Sequence, residues 1–129
     1  MTRSIVEHYI DQSMKKMNVD VIDVIQFHWW DYNDASYIDA LRQLTKLRDD
    51  GKICHLGLTN FDTERMQIMN DNGIELISNQ VQYSIIDQRP NAKMASFCKN
   101  HDMKLLAYGT LLGGLLTEKY LGTTEPSQS

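Results

Sequence analysis

Four short stretches of this chain carry side chains able to do chemistry. His28 closes the apolar run Asp23-Val-Ile-Gln-Phe-His28 and is followed by Trp29 and Trp30. An imidazole there can give a proton or an oriented hydrogen bond beside an aromatic-walled pocket; a structural histidine at a strand end has the same signature. Thr59-Asn60 and Asn79-Gln80 offer a hydroxyl and three amides. Amides read a carboxamide well because each has a donor and an acceptor, although turns and helix caps use the same residue types. Tyr108 precedes Gly109-Thr110-Leu111-Leu112-Gly113-Gly114. A phenol can stack on a flat ligand, and glycines let backbone N–H groups approach phosphate oxygens. That string is neither G-x-G-x-x-G nor a P-loop.

Other chemistries find less support. His8, His55 and His101 show no metal-ligand spacing, and no G-x-S-x-G marks a hydrolase elbow. Asp31, Asp62 and Asp87 are candidates for paired carboxylates, but capping and surface roles suit them better.

These groups need elements to hold them. Residues 21–27, 53–58, 76–81 and 103–108 are short runs rich in Val, Ile or Leu, which predict buried strands. Helical spacing lies between them. Ile38, Leu41, Leu44 and Leu47 form one stripe, with Asp34 as its cap and Gly51 as its stop. Asp62 caps a helix carrying Met66 and Met69 that ends at Gly73; Met94, Phe97 and Cys98 mark a third after Pro90. Val6, Ile10, Met14 and Met17 stripe a helix ahead of the first strand, and a short helical tail is expected over residues 115–121. The order is α-β-α-β-α-β-α-β. Strand starts 32, 23 and 27 residues apart suit crossover helices between parallel strands. Every strand becomes polar at its C-terminal end, the edge where α/β sheets and barrels bind ligands. Residues 1–122 read as one domain, and 123–129 as a flexible tail.

Composition narrows the function class. Thirteen Lys and Arg against seventeen Asp and Glu give a formal charge of −4, which argues against nucleic acid or an anionic membrane as partner. No apolar run approaches the roughly 18 residues of a membrane span, and the first residues lack the apolar core of a signal peptide. Two cysteines, Cys54 and Cys98, suit a reducing cytoplasm.

The strings Asp23-Val-Ile-Gln-Phe-His28-Trp29, Gly57-Leu-Thr-Asn-Phe61, Ser78-Asn-Gln-Val-Gln-Tyr-Ser84 and Tyr108-Gly-Thr-Leu111 with Gly114-Leu-Leu116, taken in order, resemble the aldo-keto reductases over roughly residues 4–122. The resemblance implies an α/β fold, part of a (β/α)8 TIM barrel, about strands four to seven with their helices. It implies an oxidoreductase using NADP or NAD to reduce an aldehyde or ketone. By the same resemblance His28 matches the catalytic histidine that orients the carbonyl. Thr59, Asn60 and Gln80 match the residues holding the nicotinamide carboxamide, and Tyr108 the one stacking on its ring. Gly109, Thr110 and Leu111 fall where the family's loop meets the pyrophosphate, and Trp29 would wall the substrate pocket. No metal is expected.

The family's catalytic Asp, Tyr and Lys have no match here; neither Tyr32 nor Tyr83 can be promoted by type alone. A full barrel takes about 250 residues, so the chain is expected to be an internal fragment, inactive by itself. Its first and last strands would be bare edges inviting self-association. Inward side chains such as Ile22, Val24, Leu56 and Leu106, or their opposite-parity neighbours, would lose the far wall of the core. The alternative is a non-catalytic remnant that pairs with itself or a related barrel subunit.

Overall fold

A computed structural model describes residues 2–124. Four strands, β1 (Ile22–His28), β2 (Ile53–Thr59), β3 (Ser78–Gln82) and β4 (Lys104–Tyr108), form one sheet in the order β1-β2-β3-β4, every pair parallel. The connections are helices α2 (Ser36–Asp49), α3 (Thr63–Asp71) and α4 (Met94–Asn100), and α1 (Arg3–Met17) precedes the sheet. Strand and helix therefore alternate as the spacing predicts.

Helix boundaries follow local chemistry. The Asp62 carboxylate accepts from the Arg65 N–H at 2.8 Å and caps α3. Gly73 leaves α3 at φ 70°, and the Ile74 N–H returns to the Met69 carbonyl at 3.0 Å. Asp34 sits one residue earlier than expected of a cap: its carboxylate accepts from the Ser36 N–H, and Ala35 occupies the cap position of α2. Lys52, ahead of β2, reaches both Glu7 and Asp11 on α1, at 2.9 and 2.8 Å, and ties that helix to the sheet.

The core lies on one face of the sheet, between strands and helices. Leu41, Leu47, Leu56, Leu58, Phe61, Met66 and Met69 are all essentially inaccessible there. Successive side chains alternate between faces, so the residues in register with His28, Thr59 and Gln80 occupy the other face. No helix covers that face. Val24 and Leu106 on it are 40% and 41% exposed, whereas Leu56 packs under the helices and Ile22 is also buried. Of the side chains expected to lose a wall, Val24 and Leu106 do.

Two expectations differ from the fold. Met17 closes α1 but is exposed, so the packed stripe ends at Met14. Residues 115–121 are not one helix; a 3-10 turn at Leu112–Gly114 precedes the segment and another, Glu118–Tyr120, lies within it. Gly113 and Gly114 have positive φ, and Leu115 and Leu116 find no apolar surface to reward a helical stripe. The tail expected from residue 123 lies, from 125 onward, outside the described residues. No described helix is long and apolar enough to cross a membrane.

Candidate functional site at the C-terminal rim

Strand register decides which groups meet. His28 is paired with Thr59, and Thr59 with Gln80, so three side chains form one row across β1, β2 and β3 on the open face. Tyr108 stands two residues beyond that row on β4, opposite Gln82. The row's centre is closed and polar. Thr59 is 3% exposed, and its hydroxyl oxygen has no hydrogen-bond partner. One layer below, the Gln26 amide donates to the Ser78 hydroxyl at 3.0 Å across Gly57. A Cβ at Gly57 would lie 2.3 Å from the Ser78 hydroxyl and 2.4 Å from Gln26 Oε1, so that bridge requires glycine. Gln26 Oε1 is itself buried and unpartnered.

Asn60 leaves β2 in the left-handed region, at φ 60°, where Asn is tolerated better than most residues. Three bonds hold it there. Its N–H donates to the Gln80 carbonyl at 2.8 Å, Tyr32 Oη donates to its carbonyl at 3.1 Å, and Tyr108 Oη donates to its Oδ1 at 3.0 Å. Asn79 points to the helix side and donates to the Phe61 carbonyl at 2.8 Å, which makes it a brace for the β2–α3 turn. Gly109 follows β4 at φ 66°, and Thr110 and Leu111 continue the loop in exposed positions.

The two tryptophans part company. Trp29 stacks on Phe27, meets Tyr37 edge-on, and donates its indole N–H to the carbonyls of Asp31 and Asp34. Trp30, 89% exposed, stacks on His28 with ring centroids 5.4 Å apart. The ring stacked on the histidine is that of Trp30.

The Tyr32 phenol is engaged with the Asn60 carbonyl. Burial raises its phenol above the ordinary value, with the Arg65 guanidinium, 4.5 Å over the ring, pulling the other way. The aspartates serve the surface as expected. Asp31 accepts from Asn33, Asp62 caps α3, and Asp87 binds Arg89 through both oxygens. Among the described residues no group of three His, Cys, Asp or Glu could hold a metal.

A cleft of ≈ 520 Å³ opens on the helix side of the rim, with Asn60 and Tyr108 on one wall and Pro90 and Met94 on the other. His28 and Thr59 are not among its lining residues. The rim is therefore split: His28, Thr59 and Gln80 face the open side, and Asn60 and Tyr108 bridge to the cleft.

The profile of the Aldo/keto reductase family matches residues 1–129, the whole chain. The chain belongs to the aldo-keto reductases. A solved glycerol dehydrogenase from Gluconobacter oxydans superposes on this reductase chain with a TM-score of 0.82 at 30% identity, covering 97% of this chain and 38% of that one. An aldo/keto reductase from Klebsiella pneumoniae, solved in complex with NADP and acetate, superposes at 0.75 and 25% identity, covering 84% of this chain and 38% of that one. Flagellar radial spoke protein 5 of Chlamydomonas reinhardtii is 29% identical over 121 residues, 81% of this chain and 23% of that protein. This aldo-keto reductase chain thus spans about a quarter to two fifths of these relatives, and its four parallel strands correspond to part of their barrel.

Proposed function

We propose that this chain carries the carbonyl-orienting and nicotinamide-holding part of an NAD(P)H-dependent carbonyl reductase rim. The observation that carries the reading is the row His28–Thr59–Gln80, with Tyr108 two residues beyond it. When bound, the cofactor would supply the hydride. Thr59, with its buried and unpartnered hydroxyl, fits a carboxamide partner, as do the amides of Asn60 and Gln80. The Tyr108 ring, tethered through its hydroxyl to Asn60, offers a flat face for stacking. Gly109, free of a Cβ at φ 66°, turns the loop so that the backbone of Thr110 and Leu111 stays open to phosphate oxygens.

His28 would donate a hydrogen bond to the carbonyl oxygen of a small aldehyde or ketone. Trp30 forms the wall beside it, and Trp29 anchors the loop behind. The matched residues include no counterpart of the family's Tyr, Lys and Asp, so the chain by itself has no acid to complete the reduction. Two free thiols, one exposed and one buried, agree with a cytoplasmic setting.

Fluorescence titration of the purified chain with NADPH and with NADH tests the reading. Saturable quenching that Tyr108→Ala weakens at least tenfold is the expected result, with no turnover of an aromatic aldehyde. Absence of binding by either nucleotide at millimolar concentration would sink it.

A second reading is a non-catalytic remnant that pairs with itself or with a related barrel subunit. Among the described residues, the apolar Val24 and Leu106 exposed on one face of the sheet favour it.

A further inference from the structure

Tyr32 lies on the loop between β1 and α2 and reaches across to the end of β2. We infer that Tyr32 is a positioning residue of this rim: its hydroxyl fixes the backbone of Asn60, and so aims the Asn60 side chain at the hydroxyl of Tyr108. The inference rests on the nicotinamide-holding reading above and adds the residue that sets the geometry of two of its groups.

Asn60 carries that geometry. It is a non-glycine residue at φ 60°, a conformation that L side chains rarely adopt. Two peptide planes flank its Cα, and their orientations set φ and ψ. The plane before it is held by the Asn60 N–H, which donates to the Gln80 carbonyl at 2.8 Å. The plane after it is held by the Asn60 carbonyl, which accepts from Tyr32 Oη at 3.1 Å. No other hydrogen bond reaches that carbonyl among the described residues. With both planes held, the Cα–Cβ bond has one direction, and it brings Oδ1 to 3.0 Å from Tyr108 Oη.

Tyr32 is itself built into place. The Trp29 indole N–H donates to the carbonyls of Asp31 and Asp34, one on each side of Tyr32 in the chain, at 2.8 and 3.0 Å. The Arg65 guanidinium lies 4.5 Å over the Tyr32 ring and pairs with Asp62, the cap of α3. Phe61, fully buried, meets the ring edge-on with centroids 5.2 Å apart. Packing therefore sets the ring and leaves the hydroxyl to Asn60. A packing role accounts for the ring, but not for a hydroxyl aimed at the carbonyl of a residue in the left-handed region. Every group in this series of contacts belongs to the described residues between β1 and β4, so the arrangement needs nothing from beyond them. The loop that begins beside His28 and Trp30 thereby also sets the groups at the ends of β2 and β4.

Tyr32→Phe keeps the ring and removes the hydroxyl, so the test compares it with the parent 129-residue chain. Fluorescence titration with NADPH should give a dissociation constant about threefold to tenfold higher, the usual worth of one neutral hydrogen bond. In an Asn60→Gly background, glycine accepts the positive φ and carries no side chain to aim. There the same substitution should change affinity by less than about twofold. An equal loss in both backgrounds overturns the inference, as does unchanged affinity in Tyr32→Phe alone. NMR without nucleotide supplies a readout independent of binding. Tyr32→Phe should shift the ring signals of Tyr108, to which Tyr32 makes no hydrogen bond, and should shift them no further in the Asn60→Gly background. A lower urea midpoint with unmoved Tyr108 signals marks the hydroxyl as merely structural and overturns the inference. A parent chain that binds neither NADPH nor NADH overturns the cofactor reading. Shifted Tyr108 signals would then keep the tether as a feature of the fold and overturn its role at a nicotinamide site.

Discussion

Gly57 shows how much a single missing Cβ decides at the residue scale. It sits under the Gln26–Ser78 bridge, with space for a hydrogen and nothing larger. Gly57→Ala should cost about 1–3 kcal/mol, the usual penalty for overpacking, read as a lower urea midpoint with the slope unchanged. Removing the obstruction should restore most of that loss, so Gly57→Ala with Gln26→Ala and Ser78→Ala is expected to be more stable than Gly57→Ala alone. Equal midpoints for Gly57→Ala and the parent would show that the bridge simply swings away. The sequence motif contains this glycine without revealing its reason, because the two atoms it admits come from strands 52 residues apart in the chain. The strand-end placement of His28, Thr59 and Gln80 was legible because polar groups closing apolar runs stand out in one dimension. Trp29 and Trp30 were not separable that way. The loop turns one indole to the Asp31 and Asp34 carbonyls and leaves the other on the histidine.

Periodicity carried the element scale, and the failures lie where packing rather than pattern decides. All four strands and the four helices follow from apolar spacing, because nearly all of them contribute apolar residues to one shared core. The expected helix at residues 115–121 has the leucines but no surface to place them on. Caps give the sharpest tests. Asp62→Ala should destabilise α3 by about 1 kcal/mol, seen as faster amide exchange at Met66 and Met69 than in α2. Asp34 supplies a pH signature. Hydrogen bonds from the Ser36 hydroxyl and N–H hold its carboxyl below the ordinary 3.8. A depressed folded-state pKa means that this stabilisation is complete above the unfolded value and is lost as pH falls through the folded one. The stability gap between the parent and Asp34→Ala should therefore be constant from pH 5 to 7 and shrink below about pH 3.8. A gap that persists unchanged to pH 2 would exclude the carboxylate as its source.

For the whole molecule, the sheet of the described residues has a centre bonded on both sides and two margins bonded on one. Strand β2 is hydrogen-bonded on both sides, while β1 and β4 each have one partner. Helices cover one face, so the other depends on what is brought to it. Fold class was legible here because crossover spacing dictates parallel order, but burial was not. A strand residue's parity tells which face it takes, and only the three-dimensional chain tells whether anything stands opposite. Amide exchange separates these contributions. In dilute solution the amides of β4 should exchange at least tenfold faster than those of β2, since local opening of an edge breaks one ladder and that of a central strand breaks two. Equal exchange rates at β4 and β2 would mean instead that the sheet opens as one unit.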